Sequence, residues 1–384
     1  MLKDIKAYWQ SLKTQYEGRY GEPFFNDYDH SIEYFEKMED YLLKKKEENP
    51  LDLDVLLNLA SVKLELRKDD ESVEMLEDFL RENLKLLSDD EKSRIYTDLA
   101  FYYYGEKRLE YLKLASDLNS PYAYTYKALG IYYFSEYQYE HSKESLHLST
   151  NYFKMAREIE IEHEYEHAFN YAVCLYEEGN YILAAAIFRE LLKKYPCRMR
   201  LLLSLSYCEA YLGNIERAKS FLDQVKIGMD ANYHLSTNEI NDYEIFDLYY
   251  VLGDYEKFLE CWEKENIEEY YTLDWDHYFY TLWLKGKKDL FYKLVEKNIS
   301  YLSMTIEETA KDEYESEEEK KNILAELRQE KNDFEEMISR VKNSNEKPKL
   351  KLRLEPEMNC FLIDCIRHKL LQDNKYKRYI VPTC

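Results

Sequence analysis

The sequence predicts an all-α fold, an α-solenoid of stacked antiparallel helix pairs. Three observations predict it. The 384 residues include only 9 Gly and 7 Pro, too few for the many tight turns of an all-β fold. Charged residues make up 34% of the chain and apolar residues 45%, a mixture typical of amphipathic helices with one exposed face. The third observation is a glycine that recurs at similar spacing between two helical apolar runs.

The recurring glycines are Gly179, Gly213, Gly253 and Gly286, which stand 33 to 40 residues apart. The sequences around them align without a gap: EEGNYILAAAIF, YLGNIERAKSFL, VLGDYEKFLECW and LKGKKDLFYKLV. Glycine readily takes the left-handed conformation that ends a helix. Asn or Asp follows the glycine in three of the four copies and can cap the next helix. Each copy therefore predicts a helical hairpin.

The segment 165–198 resembles a tetratricopeptide repeat (TPR). The residues that carry the resemblance are Ala172 on the first helix, Gly179-Asn180-Tyr181 at the turn, Ala184 and Phe188 on the second helix, and Pro196 at its close. In the next segment, 199–232, the matching residues are Leu205, Gly213, Ala218 and Leu222. The resemblance is clearest over 165–232 and weaker over 51–164 and 233–304. Around Gly253 and Gly286, a Phe stands where the family prefers Ala.

Four parts of the chain are predicted in order. Residues 1–50 form an N-terminal helical cap, and residues 51–304 form the TPR-like solenoid, with about seven helix pairs. Residues 305–340 form a long charged helix with a thin apolar line. Residues 341–384 form a basic tail, in which Leu350, Leu352 and Leu354 alternate as in an extended segment before an amphipathic helix at EMNCFLIDCIRHKLLQ. The tail is expected to pack back as a cap or to dock onto a partner.

The net charge and the cysteine content limit the classes of partner and the cellular compartment that the sequence favours. The formal net charge of −23 disfavours direct binding to nucleic acid or to an anionic membrane surface. It favours a basic protein or peptide, although solubility alone also explains an acidic surface. The seven scattered cysteines indicate reduced thiols, and the sequence shows neither a signal peptide nor an apolar run long enough to span a bilayer. We therefore expect a soluble, cytoplasmic protein of undetermined oligomeric state.

One segment matches a catalytic pattern. The sequence HEYEH places His163 and His167 one helical turn apart, so that they could hold zinc while Glu164 activates water. The segment is rich in Glu and runs directly into a repeat, which favours an ordinary solvated helix. Cys365-x-x-His368, near Cys360, lacks a second ligand pair and is better explained by packed thiols. The sequence therefore predicts no catalytic residue, metal ligand or cofactor.

The resemblance to TPR proteins implies a concave groove lined by the first helix of each pair. The family's ligand-reading positions carry over to an aromatic wall interspersed with acids, although each side chain could instead pack only against a neighbouring helix. The wall lacks the Lys and Asn set with which chaperone-binding members clamp a C-terminal carboxylate. The groove positions are Glu166, Phe169, Tyr176, Arg200, Tyr207, Tyr243, Asp247, Tyr250, Asp276, Tyr280 and Trp283.

Such a wall suits an extended or helical peptide with basic and apolar anchors. The leading hypothesis is therefore a non-enzymatic scaffold that binds a protein or peptide. Two alternatives are a peptide-sensing regulator, resembling the peptide-pheromone receptors of Gram-positive bacteria, and an acidic immunity or inhibitor protein that binds a basic toxin or nuclease. A zinc peptidase is the least favoured reading.

Overall fold

The computed structural model describes residues 2–22, 27–159, 165–195, 198–230, 240–311, 316–344 and 346–357. Over these residues the chain forms seventeen α-helices and one short 3-10 helix, without a strand. The predicted all-α, TPR-like class is confirmed. Among the same residues, no helix combines the length and the apolar character needed to cross a bilayer.

The chain folds into two compact units. Unit 1 contains residues 1–212, 223–237 and 354–384, and unit 2 contains residues 213–222 and 238–353. Helix α12 (Ile215–Asp230) contributes residues to both. The four parts predicted from the sequence divide the chain differently, and those bounds stay predictions.

Unit 1 is a series of helices in which each of the first ten packs against the next. The first three helices share one core that includes Trp9, Tyr34 and Val55, and later helices continue the pattern pair by pair. The helices are α1 (Leu2–Tyr20), α2 (Tyr28–Glu48), α3 (Leu53–Glu65), α4 (Asp69–Asn83), α5 (Asp89–Phe101), α6 (Gly105–Asp117), α7 (Ala123–Glu140), α8 (Lys143–Ile159), α9 (Tyr165–Glu177), α10 (Tyr181–Lys194) and α11 (Met199–Tyr211).

Unit 2 repeats the arrangement with five more helices, each packed against its neighbour in sequence. Helix α17 also packs against α15, so the last three helices form a small bundle. The elements are α13 (Asp242–Val251), α14 (Tyr255–Lys264), the 3-10 helix (Ile267–Glu269), α15 (Asp276–Leu284), α16 (Lys288–Lys311) and α17 (Glu317–Asn343).

The four recurring glycines all lie at helix ends with positive φ, at 84°, 77°, 78° and 68° in chain order. At Gly179 the backbone N–H donates to the Tyr176 carbonyl at 2.9 Å, and the N–H of Asn180 donates to the Leu175 carbonyl at 2.8 Å. This pair of bonds satisfies carbonyls that the end of a helix leaves open. The side chain of Asn180 then accepts from the N–H of Leu183 and begins α10.

The charged stretch 305–340 differs from the single helix that the sequence predicts. Residues 305–311 complete α16, and α17 begins separately at Glu317. The reason is local: the Ser316 hydroxyl accepts from the N–H of Glu319, and the Glu319 carboxylate accepts from the N–H of Ser316, both at 3.3 Å. This reciprocal cap favours a helix start at that point.

We predict that Gly179→Ala lowers the free energy of unfolding by about 1–2 kcal/mol, because a Cβ is unfavourable in the left-handed region. A Cβ at Gly179 would meet nothing within 4 Å, so the cost is purely one of backbone conformation. Gly18→Ala is the matched control. Gly18 lies in α1 with equally open space and no positive φ, and its replacement should stabilise by up to about 1 kcal/mol. Urea unfolding measures both changes, and equal effects would contradict the corner assignment.

Candidate functional site

The predicted groove residues on α9 lie mostly inside the protein. Phe169 is fully buried between Tyr165 and Phe188, with ring centroids 5.4 and 5.5 Å away. Glu166 is 2% exposed and pairs with the ammonium group of Lys127 on α7, which is 3% exposed. The Glu166 carboxylate thus balances an internal cation.

Two further predicted groove residues, Tyr176 and Tyr207, lie in a cluster of tyrosines. Tyr176 is buried, with its ring centroid 6.3 Å from Tyr207 and 5.9 Å from Tyr211. Burial raises the pKa of the Tyr176 phenol well above its usual value. Tyr207 is also buried, and Arg200 is half-buried at the start of α11. The two tyrosines therefore pack within unit 1.

The predicted residues of unit 2 divide between packing and exposure. Tyr243 is 43% exposed and stacks on Trp262, with centroids 5.2 Å apart. The Asp247 carboxylate lies 3.8 Å from the ring of His277, and burial raises the pKa of Asp247.

Two aromatic positions on α15 also make ring contacts in unit 2. Tyr280 is half-buried, with its centroid 6.4 Å from Tyr255. Trp283 is half-buried against Phe291, with centroids 5.2 Å apart, and the Lys288 ammonium group lies 5.0 Å from its ring. Both side chains leave part of their surface accessible.

Residues 346–357 form a non-helical segment, which we call the tail segment. Its side chains alternate in burial: Leu352 and Leu354 are 2% and 1% exposed, whereas Lys351, Arg353 and Glu355 are exposed. A period of two is the signature of an extended chain with one face covered. The predicted alternation therefore corresponds to an apolar face that is buried.

In unit 1, the side chain of Asn170 on α9 forms hydrogen bonds with both the N–H and the C=O of one residue of the tail segment, Glu357. The Asn170 side-chain amide donates to the carbonyl of Glu357 at 2.9 Å, and its oxygen accepts from the N–H of Glu357 at 2.7 Å. Asn170 is fully buried. Such a pairing satisfies a buried amide and an extended backbone at the same time.

A second backbone contact comes from Glu177, two helical turns farther along α9. One oxygen of its carboxylate accepts from the N–H of Leu354 at 3.1 Å. The other accepts from the hydroxyl of Tyr137 on α7, also at 3.1 Å. Asn170 and Glu177 together fix the register of residues 354–357 on α9.

The side chain of Glu357 also accepts two hydrogen bonds. Arg198, which precedes α11, donates from Nη2 to Oε1 of Glu357 at 2.5 Å, and the Tyr165 hydroxyl donates to the same oxygen at 3.3 Å. The guanidinium carbon lies 4.2 Å from the centroid of the Tyr165 ring. The Arg198 side chain is 1% exposed and that of Glu357 is 14% exposed, so this is a largely desolvated ion pair.

In unit 2, the first part of the tail segment is held by Tyr250, one of the predicted groove residues. The Tyr250 hydroxyl donates to the carbonyl of Pro348 at 2.7 Å. The Lys347 ammonium group donates to the carbonyl of Tyr250 at 2.9 Å and lies 4.6 Å from the ring centroid. Burial lowers the pKa of Lys347 and raises that of Tyr250. Asp276, another predicted residue, lines a pocket here together with Arg340.

On α9, the two residues that bond to the backbone of the tail segment each lie one position after a residue predicted from the sequence. Phe169 and Tyr176 are seven residues apart, as are Asn170 and Glu177, but one residue rotates the helical face by about 100°. A signal was present, because a polar amide in the middle of an otherwise apolar helix needs a partner. Arg198 precedes α11 and belongs to no helical period, so no pattern identified it.

The possible zinc motif is only partly described. His163 and Glu164 lie outside the described residues, as do Cys360, Cys365 and His368. His167 is buried, with its ring centroid 5.3 Å from that of Tyr124. Within the parts of the chain that the structure describes, no group of three or more His, Cys, Asp or Glu side chains is arranged to hold a metal ion.

We predict that Lys127→Met lowers the free energy of unfolding by about 3–5 kcal/mol, because it leaves the Glu166 carboxylate buried without this ammonium group. The double variant Lys127→Met with Glu166→Met should recover most of that loss, since apolar side chains replace the buried pair. Urea unfolding of the four-member cycle gives the coupling energy. A cost below about 1 kcal/mol for the single variant would place the pair among solvated surface ion pairs.

Comparison with known proteins gives one family match. The tetratricopeptide-repeat model matches residues 168–196, which lie on the hairpin of α9 and α10. A search of curated proteins gives no match to the sequence.

Several solved structures are similar to the chain. YrrB, described as a TPR protein with an unusual peptide-binding site, is 20% identical, with a TM-score of 0.37, over 48% of this chain and 90% of that chain. The TPR2AB domain of yeast Sti1 in its pHSP90 complex is 16% identical, with a TM-score of 0.27, over 66% of this chain and 98% of that chain. The P58(IPK) TPR domain is 11% identical, with a TM-score of 0.22, over 85% of this chain and 98% of that chain.

The family match coincides with the hairpin in which Gly179 ends α9 and Asn180 begins α10. Helix pairs with the same glycine corner recur at Gly253 and Gly286. The match at residues 168–196 therefore supports a helical-repeat protein of the tetratricopeptide type.

Proposed function

We propose that this chain is a non-enzymatic scaffold that binds an extended segment of a partner protein in unit 1. The binding surface, which we call the tail site, consists of the side chains that hold residues 354–357. Its members are the buried ones: Tyr165, Asn170 and Glu177 on α9, and Arg198 before α11. The Tyr137 hydroxyl on α7 donates to Glu177 and not to the tail segment. The observation that carries the proposal is the pairing of Asn170 with both backbone groups of Glu357.

Contacts to a backbone suit a site whose occupant can be exchanged. Every residue except proline offers the same N–H and C=O, so Asn170 and Glu177 can hold any extended segment in the same register. The tail segment adds Leu354, whose burial contributes about 1.5–3 kcal/mol. Each backbone bond adds about 0.5–1.5 kcal/mol. The sum is of the size expected for reversible peptide binding.

The tail segment also indicates which kinds of side chain would anchor a partner segment. The sequence predicts basic and apolar anchors, and the tail segment supplies both. Leu354 is buried in unit 1; in unit 2, Leu352 is buried and the Lys347 ammonium group lies beside the rings of Tyr250 and Tyr255. We propose that a partner segment uses the same kinds of anchor. The resident segment competes with it at an effective concentration on the order of millimolar.

The test uses the full chain with Leu352→Asp and Leu354→Asp, which we call the tail-released variant. Two carboxylates in place of buried leucines disfavour docking of the resident segment. We predict that this variant binds a fluorescent peptide EKPKLKLRLEPE, the sequence of residues 346–357, with saturable anisotropy. The unchanged chain should bind the same peptide more weakly, because its own segment occupies the tail site.

Adding Asn170→Ala to the tail-released variant should weaken peptide binding by at least about fivefold, since two backbone hydrogen bonds are lost. Asn151→Ala, the same substitution at an exposed position on α8, is the matched control and should change nothing. Absence of saturable binding by a tail-released variant with intact helical circular dichroism would refute the proposed function.

A further inference from the structure

The carboxylate of Glu357 occupies a site built for an acid. Arginine is almost never fully buried unless it is paired, and the Arg198 side chain is 1% exposed with Glu357 as an ion-pair partner at 2.5 Å. The Tyr165 hydroxyl donates to the same carboxylate oxygen, and the Tyr165 ring supports the guanidinium face. Both groups therefore direct hydrogen-bond donors or positive charge at one point of the tail segment.

This arrangement discriminates between side chains by charge. Hydrogen bonds between ionised partners are stronger than neutral ones, and the difference grows where water is excluded. A glutamine at the same position could accept a bond but would remove the carboxylate charge that pairs with Arg198. A lysine would place two cations together, which is a repulsive element against the wrong ligand.

The register of the acid is fixed relative to Leu354. The N–H of Leu354 is held by Glu177, and both backbone groups of Glu357 are held by Asn170. Pro356 lies between them and restricts the backbone further. An acid placed one residue earlier or later would not bring its carboxylate to Arg198 while these backbone bonds are kept.

We infer that the tail site selects an extended segment of the form Leu-x-x-Glu, and that Arg198 is the residue that determines the acid. The inference rests on the proposed function and names its ligand class. Residues 354–357, LEPE, are the chain's own copy of this sequence. The tail segment also carries three exposed cations, Lys349, Lys351 and Arg353, whose charge is opposite to the net negative charge of the protein. At Arg198, by contrast, the ligand must supply a negative charge.

The experiment compares four peptides of residues 346–357 on the tail-released variant by fluorescence anisotropy: the unchanged sequence, Glu357→Gln, Glu357→Lys and Glu355→Gln. We expect Glu357→Gln to weaken binding by at least about tenfold, and Glu357→Lys by more. Glu355→Gln is the matched control, because Glu355 is exposed and bonds only to the exposed amide of Gln138 in unit 1. It should change the affinity by less than about twofold.

Replacement of the arginine gives the reciprocal test. In the tail-released variant with Arg198→Gln, the unchanged and Glu357→Gln peptides should bind with similar affinity. The peptide series uses the native Arg198, so it stands even if this variant folds poorly. Equal binding of all four peptides to native Arg198 would overturn the selectivity and leave the proposed function intact. No binding of any peptide to the folded variant would overturn both.

Discussion

Buried polar side chains need partners, and this constraint links the helical repeats to the tail segment. Asn170, Glu177 and Arg198 are 0%, 8% and 1% exposed. Leaving such groups without hydrogen bonds costs far more than a typical bond contributes. The neighbouring helices cannot supply many partners, because an α-helix uses its own backbone groups internally. A non-helical segment has free N–H and C=O groups, and residues 354–357 offer them to these side chains.

The same constraint explains how the two units use the tail segment differently. In unit 1, buried side chains bind the backbone and one acid. In unit 2, the contacts run the other way: the Lys347 side chain donates to the backbone carbonyl of Tyr250, at the end of α13, and the Tyr250 hydroxyl donates to Pro348. Helix ends leave carbonyls open, so a cation there is favourable. Each part of the tail segment thus satisfies groups that its own unit leaves open.

The fold could be predicted because its determinants are local. A glycine corner and a following Asn or Asp act within a few residues, so the spacing of Gly179, Gly253 and Gly286 was readable. The division of 305–340 was missed, although Ser316 and Glu319 have the spacing of a capping box. Among the described residues, four helix ends have a residue other than glycine at positive φ: Arg67, Asn119, His141 and Asn266. At Arg67, after α3, φ is 57° and the N–H of Lys68 donates to the Lys63 carbonyl at 2.9 Å.

The site was less predictable because its determinants are distant in sequence. Which face of α9 meets the tail segment depends on how the helix is rotated against its neighbours, for example by the pairing of Glu166 with Lys127. The alternating leucines predicted an extended segment, yet nothing local in LKLRLEPE indicates where it docks. Its partner residues Asn170 and Arg198 precede Glu357 by more than 150 residues.

Hydrogen exchange at the tail segment tests the central claim most directly. In the full-length chain, the backbone N–H of Leu354 is bonded to Glu177 and that of Glu357 to Asn170. Both amides should therefore exchange far more slowly than the same amides in the free peptide of residues 346–357. Exchange of Leu354 and Glu357 at the rates of an unstructured peptide would mean that the repeats do not hold the tail segment, and would contradict the account.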